Sequence, residues 1–434
     1  MNVAQPLLPN GPGSNVVDQE PASRVLLLGN DDRVLLAVAR GLGRAKLDVH
    51  LAWCSPASAA LKSRYVSTYH PLPPYCSQSF EWLDALNRLV QRQRFDLVIP
   101  CNDYAVIPLQ TVRERLNPTT IWYLLNDEAF RIAFDKAETS MLAESLGINT
   151  PQEFLISADE VRELARRTEI AEIEGQELRF PVYLKPRSSV THTDVRNKRS
   201  ARRIKTAIEL ADELRGECPS EGILVQEEFS GTGIGVEVLA SDGEVLMQFQ
   251  HRRLRETIDG GSTYRESIAE IPELTEATGK MIRSLNYTGV GMFEYRYCAT
   301  TKKWVFLEIN ARFWGSLPLA IASGANFPLG LYQLLVKDQR ECASNFVVGN
   351  RCRNLVTDIR AFRKQKSSNL DLRNLLLGKD QLDFYSRDDW RPQIANLCEF
   401  AGSLFRKAQG SLGNYLRPLG MRTSGITKLI GRRF

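Results

Sequence analysis

The stretch "GMFEYRYCATTKKWVFLEIN", residues 291–310, reads as two strands around a polar turn. Alternation puts Met292, Glu294 and Arg296 on one face of the first strand and Phe293, Tyr295 and Tyr297 on the other. On the second strand Glu308 and Asn310 share a polar face, with Arg312 next in the same alternation. A hairpin symmetric about Thr301 sets position 294 opposite position 308, so two carboxylates face each other. Like charges directly opposite are destabilising, by roughly 3 kcal/mol at ~5 Å and an effective dielectric of ~20. A divalent cation offsets this, because Mg²⁺ takes hard oxygen ligands and the Asn310 carboxamide adds one more. An asymmetric turn would instead leave one glutamate solvated.

Outward from this hairpin the texture is α+β. "VEVLASDGEVLMQFQHRR" is a second hairpin turning at Asp242-Gly243, and "ELTEATGKMIRSLN" is the helix between the two. Upstream, "FPVYLKPR" is a strand cut by Pro186, with Tyr183 and Lys185 on one face, and "GILVQEEFSG" is a strand running into an acidic turn. A helix starting at Lys136, just after Asp135, stops at Gly147. As point charges, Lys136 and Lys185 both suit phosphate oxygens, although either alone is more often a solvated lysine. In "QHRRLRE", His251, Arg253 and Arg255 alternate onto one face, Gly260-Gly261 makes a turn, and Arg265 follows. Arginine forks match carboxylates and phosphates, so this segment predicts an anionic substrate, against the plainer reading of a solvated basic strand.

Residues 23 to about 125 have a different rhythm. "RVLLLG", "RVLLAVARGLGRAK" and "DVHLAW" form a βαβ opening, and "FDLVIPC" adds a strand after a helical segment, which predicts a small doubly wound α/β domain. Gly29 stands without the GxGxxG that brings backbone to a pyrophosphate, which argues against NAD.

At 434 residues the chain is too long for one ordinary core. It has no run of 18 apolar residues, and residues 1–22 lack the basic and apolar regions of a signal peptide, so the expectation is a disordered tail on a cytoplasmic protein. Eight scattered cysteines without a CxxC pair, and only four histidines, exclude a zinc framework. From Arg391 onward eight Lys or Arg oppose a single acid, Glu399. There Leu397, Phe400, Leu404 and Phe405 form one helical stripe, read as a helix packed on the body, with contact to an anionic membrane surface as the alternative. Aromatic residues do not interleave with the charges, so no nucleic acid is expected.

Taken together, residues 131 to 340 resemble the ATP-grasp superfamily, most closely its carboxylate-amine ligase-like members and more distantly the carbamoyl-phosphate synthase ATP-binding domain. The resemblance rests on "DK" at Lys136, "LKP" at Lys185, "VQEEF" at 225–229 and the carboxylate pair with its asparagine and arginine. It implies ATP phosphates on Lys136 and Lys185. It implies adenine and ribose at Gln226, Glu227, Glu228 and Phe229, with either Glu228 or Glu237 as the ribose carboxylate. It also implies Mg²⁺, or alternatively Mn²⁺, on Glu294, Glu308 and Asn310. Arg312 and Lys185 would then act in catalysis, and His251, Arg253, Arg255, Arg265 and Arg312 would meet an anionic carboxylate that is activated as an acyl phosphate for an amine.

Two features depart from the pattern: the loop "KPRSSVTHTDVRNKRSARR" has no glycine, and Gly233 stands where a ribose glutamate is often found. The implied architecture is a disordered tail (1–22), an N-terminal doubly wound α/β domain (23–130), a two-lobed ATP-grasp domain (131–340) and a basic, mainly helical C-terminal extension (341–434). The rival functions are a carboxylase or carbamoyl-phosphate-synthase-like enzyme, and a non-catalytic ATP-binding regulatory protein, for which the glycine-free loop is the best argument.

Overall fold

A computed structural model describes residues 23–216, 221–257, 261–342, 345–364, 378 and 380–416. The N-terminal tail, Gly260 of the expected turn and the basic residues beyond 416 lie outside the described residues. Five parallel strands open the chain: β1 (Arg24–Leu28), β2 (Asp48–Ala52), β3 (Thr68–His70), β4 (Leu97–Pro100) and β5 (Ile121–Trp122), in the order β3-β2-β1-β4-β5. Helices α1 (Asp32–Gly43), α2 (Glu81–Gln93) and α3 (Asp103–Thr111) connect them. β1 is an almost unbroken apolar run because a parallel sheet is covered on both faces. The strand order reverses between β1 and β4, and the loops that follow those two strands meet at this switch point, where open α/β sheets form a crevice.

Helices α4 (Asp127–Ala133) and α5 (Lys136–Ser145) lead into a small lobe. Its strands are β6 (Glu153–Ile156), the short hairpin β7 (Glu172–Ile173) and β8 (Gln176–Glu177), β9 (Val182–Pro186), β10 (Arg202–Ile204) and β11 (Ile223–Glu227). Four of them pair antiparallel in the order β10-β9-β11-β6. Helices α6 (Ala158–Leu164) and α7 (Ala207–Leu214) cover one face, around a core that includes Phe154, Val182, Leu184, Leu210 and Val225.

The large sheet takes β12 (Thr232–Ser241), β13 (Glu244–Glu256), β14 (Ser262–Ser267), β15 (Gly289–Tyr297), β16 (Trp304–Asn310), β17 (Arg351–Arg353) and β18 (Gln381–Leu382), in the order β16-β15-β12-β13-β14-β17-β18. Asp242 and Gly243, at φ 49° and 79°, make the β12–β13 turn, both in the left-handed region that two-residue hairpins favour. Helices α8 (Pro272–Ser284), α9 (Leu317–Ala322), α10 (Phe327–Lys337), α11 (Leu355–Lys364) and α12 (Arg391–Leu416) complete the described chain.

One core joins the N-terminal sheet to the large one, with Val34, Leu35 and Val38 of α1 packed in the same cluster as Phe249, Trp314 and Phe327. Among the described residues the C-terminal extension is mainly helical but also adds β17 and β18 to the sheet edge. It is strapped back onto α1 by Arg40, whose Nε donates to Asp389 Oδ2 at 2.9 Å. On α12, Phe400 is buried against the body, whereas Phe405 of the expected stripe is 58% exposed. Among the described residues no helix is long and apolar enough to cross a membrane.

Candidate functional site

The β15–β16 hairpin does set Glu294 opposite Glu308, and Met292 opposite Asn310. It does so by a different route from the symmetric turn. Near the loop Tyr297 pairs with Trp304 and Tyr295 with Phe306, and the register then slips by one, leaving Leu307 as the extra residue of a β-bulge. Leu307 and Glu308 therefore both line one large cavity, of about 1490 Å³, between the small lobe, the large sheet and the N-terminal domain.

The expected repulsion is offset by the protein's own cations. Glu294 accepts from Arg253 Nη2, and from Asn310 Nδ2 at 2.9 Å, while Glu308 lies 3.4 Å from Lys136 Nζ. Burial pushes the Glu308 carboxyl up, but Lys136, Lys185, Lys198 and Arg253 together outweigh it and hold it at about 2. Two carboxylates and a carboxamide on one sheet face form a hard-oxygen donor set that suits Mg²⁺. Only two of these donors are acids, and among the described residues no group of three or more His, Cys, Asp or Glu is placed to hold a metal ion by itself. Mg²⁺ fits such a sparse set, since it usually completes its shell with waters and substrate phosphates.

Lys136 opens α5 behind the Asp135 N-cap, and its Nζ donates to Ser189 Oγ at 2.9 Å. Lys185 is nearly buried on β9, where its Nζ donates to Gln226 Oε1 at 2.6 Å, and Gln226 Nε2 passes the chain on to Glu153 at 2.7 Å. Burial lowers the Lys185 pKa against the pull of Glu308.

At the end of β11, Glu227 Oε1 accepts the Arg179 backbone N–H at 2.9 Å. Glu228 takes the Arg203 fork at 3.0 and 2.7 Å and the Tyr183 hydroxyl at 3.1 Å. Of the two glutamates left open by the sequence, Glu228 faces the cavity. Glu237 is fully buried in β12, where it accepts from Ser316 Oγ at 2.7 Å and lies 3.0 Å from His251 Nδ1.

The arginines are split up. Arg253 pairs across the sheet with Arg265, and Arg255 with Tyr264, because the ladder slips at Leu254. Facing residues of an antiparallel pair point the same way and successive residues point opposite ways, so Arg253 and Arg255 lie on opposite faces, not on one face as simple alternation predicts. Arg255 bonds Asp358 at 2.6 Å, away from the cavity, and Arg265 is fully buried against Asp383. An added Cβ at Gly233 would lie 2.7 Å from Arg253 Cδ, so glycine there leaves Arg253 room to reach Glu294.

Arg312 is held by a residue that sequence reasoning missed. Its Nε and Nη2 donate to the two oxygens of Asp103 at 2.8 and 3.2 Å. Burial lowers the Arg312 pKa, yet Asp103 more than restores it. Asp103 opens α3, three residues after β4 at the sheet's switch point, and an acid in the loop region after a parallel strand was the available signal.

Residues 220–354 match the family model described as ATP-grasp in the biosynthetic pathway with Ter operon. A search of curated protein sequences finds no match. Among solved structures, biotin carboxylase from Campylobacter jejuni is 15% identical, with a TM-score of 0.56 over 76% of this chain and 74% of that one. L-amino acid ligase from Bacillus licheniformis is 16% identical, with a TM-score of 0.53 over 74% and 75%. N5-carboxyaminoimidazole synthetase from Staphylococcus aureus, complexed with ADP, is 13% identical, with a TM-score of 0.54 over 76% and 80%. At such identities the likeness is one of architecture, and the family match falls on the sheet that carries Glu294, Glu308 and Asn310. The chain is a protein of the ATP-grasp fold.

Proposed function

We propose that the protein is an ATP-dependent, ADP-forming ligase that activates a carboxylate as an acyl phosphate for attack by an amine. The observation that carries this reading is the facing pair Glu294 and Glu308, with Asn310 beside them and Lys136 and Lys185 at hand, on the floor of a cavity large enough for a nucleotide and a second substrate. Residues 23–130 are the domain that precedes the catalytic lobes, 131–340 hold the nucleotide, and 341–434 are a C-terminal extension to them.

Glu294, Glu308 and Asn310 would hold Mg²⁺, which neutralises charge on phosphate oxygens. Lys136 and Lys185 reach the phosphates as point charges. Residues 226–229 border the base, and Glu228 is the ribose-facing carboxylate. A substrate carboxylate oxygen attacks the γ-phosphorus as the bond to ADP breaks; the amine nitrogen then attacks the acyl carbon and phosphate leaves. Arg312, fixed by Asp103, steadies the transferred group. Beyond Arg253 the cavity is bordered by Arg33 and Arg360, and by the rings of Phe384 and Phe400, which supports an anionic acceptor with an apolar body.

The test is ADP release from Mg²⁺-ATP across a panel of carboxylic acids, with hydroxylamine as the amine so that an acyl phosphate is trapped as a hydroxamate. Acid-dependent hydroxamate that disappears on adding EDTA and in Glu294→Gln is the expected result. Turnover indifferent to Glu294→Gln would overturn the reading.

A further inference from the structure

The loop from Arg187 to Ala201 joins β9 to β10 and borders the cavity above the carboxylate pair. Without a glycine it lacks the freedom to wrap a phosphate with closely approaching backbone N–H groups. The structure shows what it has instead. Val190 and Val195 are buried in the N-terminal domain's aromatic cluster, with Trp53, Trp82 and Tyr104. Tyr75 donates its hydroxyl to the His192 carbonyl at 2.7 Å, and Ser188 Oγ donates to the Phe134 carbonyl at 2.9 Å. The Arg199 N–H donates to the Ser189 carbonyl at 2.8 Å and closes the loop at its base, and the Arg199 side chain pairs with Glu221.

Anchored in this way, the loop is a fixed wall made of side chains. Lys198 stands next to its closing bond and lines the cavity. Across that bond is Ser189, whose hydroxyl holds the Nζ of Lys136. Lys198 itself is exposed and is not part of the core.

We infer that Lys198 is a third phosphate-contacting cation, held over the nucleotide's terminal phosphates by a loop pinned through Val190 and Val195, in place of a glycine-rich backbone cradle. This rests on the nucleotide reading proposed above and adds to it a residue and a mode of contact. A lysine acts here as a point charge on a flexible stem, so the position and the charge matter more than a fixed hydrogen-bond geometry.

The experiment is calorimetric titration of the full chain with the non-hydrolysable ATP analogue AMP-PNP, ADP and AMP, each with Mg²⁺, for wild type, Lys198→Met and Lys198→Arg. Lys198→Met is expected to weaken AMP-PNP by about tenfold or more, as loss of a charge-assisted contact does. AMP should bind as in wild type, Lys198→Arg should recover most of the loss, and melting temperatures should agree to within about 2 °C. If Lys198→Met binds AMP-PNP as wild type does, or loses all three nucleotides equally, the inference is overturned while the nucleotide reading stands. A wild-type protein that binds none of the three overturns that reading, and the inference with it.

Discussion

Glu308→Gln removes one charge and almost no volume, and the structure fixes the sign of the effect before any substrate is known. Two opposing terms act on the carboxylate. Glu294, its cross-strand neighbour, repels it by roughly 3 kcal/mol at ~5 Å and an effective dielectric of ~20. Lys136 at 3.4 Å attracts it, by about 5 kcal/mol on the same footing, and Lys185, Lys198 and Arg253 add to that attraction. Attraction wins, and the carboxyl titrates at about 2 instead of the usual 4.5. At 1.36 kcal/mol per pH unit this gap is worth about 3 kcal/mol, and with 30% of the side chain open to the cavity solvent screening reduces it to about 2 kcal/mol.

Because the folded pKa lies below the unfolded one, this stabilisation is complete above about pH 4.5 and drains away as the pH falls towards 2. An unfolding entropy of ~2.1 cal/mol/K per residue gives about 0.9 kcal/mol/K for this chain, so 2 kcal/mol corresponds to about 2 °C. Differential scanning calorimetry should find Glu308→Gln melting about 2 °C below wild type at pH 7, with the gap at pH 3 less than about half of that. A variant as stable as wild type at pH 7, or a gap that does not narrow in acid, would refute the reasoning. Either result would mean that the two glutamates strain each other in the free protein and that the lysines do not compensate.

Arg312→Lys keeps the charge but not the two-point contact with Asp103; acid-dependent ADP release should fall by about tenfold or more with AMP-PNP affinity nearly unchanged, and an unaltered kcat would count against a role in the transferred-group contact. Arg40→Met breaks a buried ion pair with Asp389 and removes donors to the carbonyls of Phe384 and Asp389. Losing one partner of such a pair costs about 3–5 kcal/mol, so Tm should drop by roughly 3–5 °C, and a Tm within about 1 °C of wild type would show that the strap is not held there.

Much of the large sheet was legible because its signals are local. Alternation in 291–310 named the faces of β15 and β16, Asp242-Gly243 named a turn, and the facing of Glu294 and Glu308 followed from counting residues. That count succeeded although the turn is not centred on Thr301, since the bulge at Leu307 supplies the missing residue. The same device defeated the reading of β13, where a slip at Leu254 sends Arg255 to the opposite face from Arg253. A bulge adds one residue to one strand, and nothing in the pattern of apolar and polar residues marks where it falls.

The sequence by itself determined the element types, the carboxylate hairpin, the lysine that opens α5 and the lysine near the end of β9, because each depends on side-chain period and on neighbours a few residues apart. The tertiary structure alone decided which charges meet. Arg312 is bound by Asp103 from the N-terminal sheet, Arg265 by Asp383 from the C-terminal strap, and the loop of Lys198 by aromatic residues of the first domain. Contacts between distant parts of the chain are selected by the packing of whole lobes, for which local periodicity holds no information.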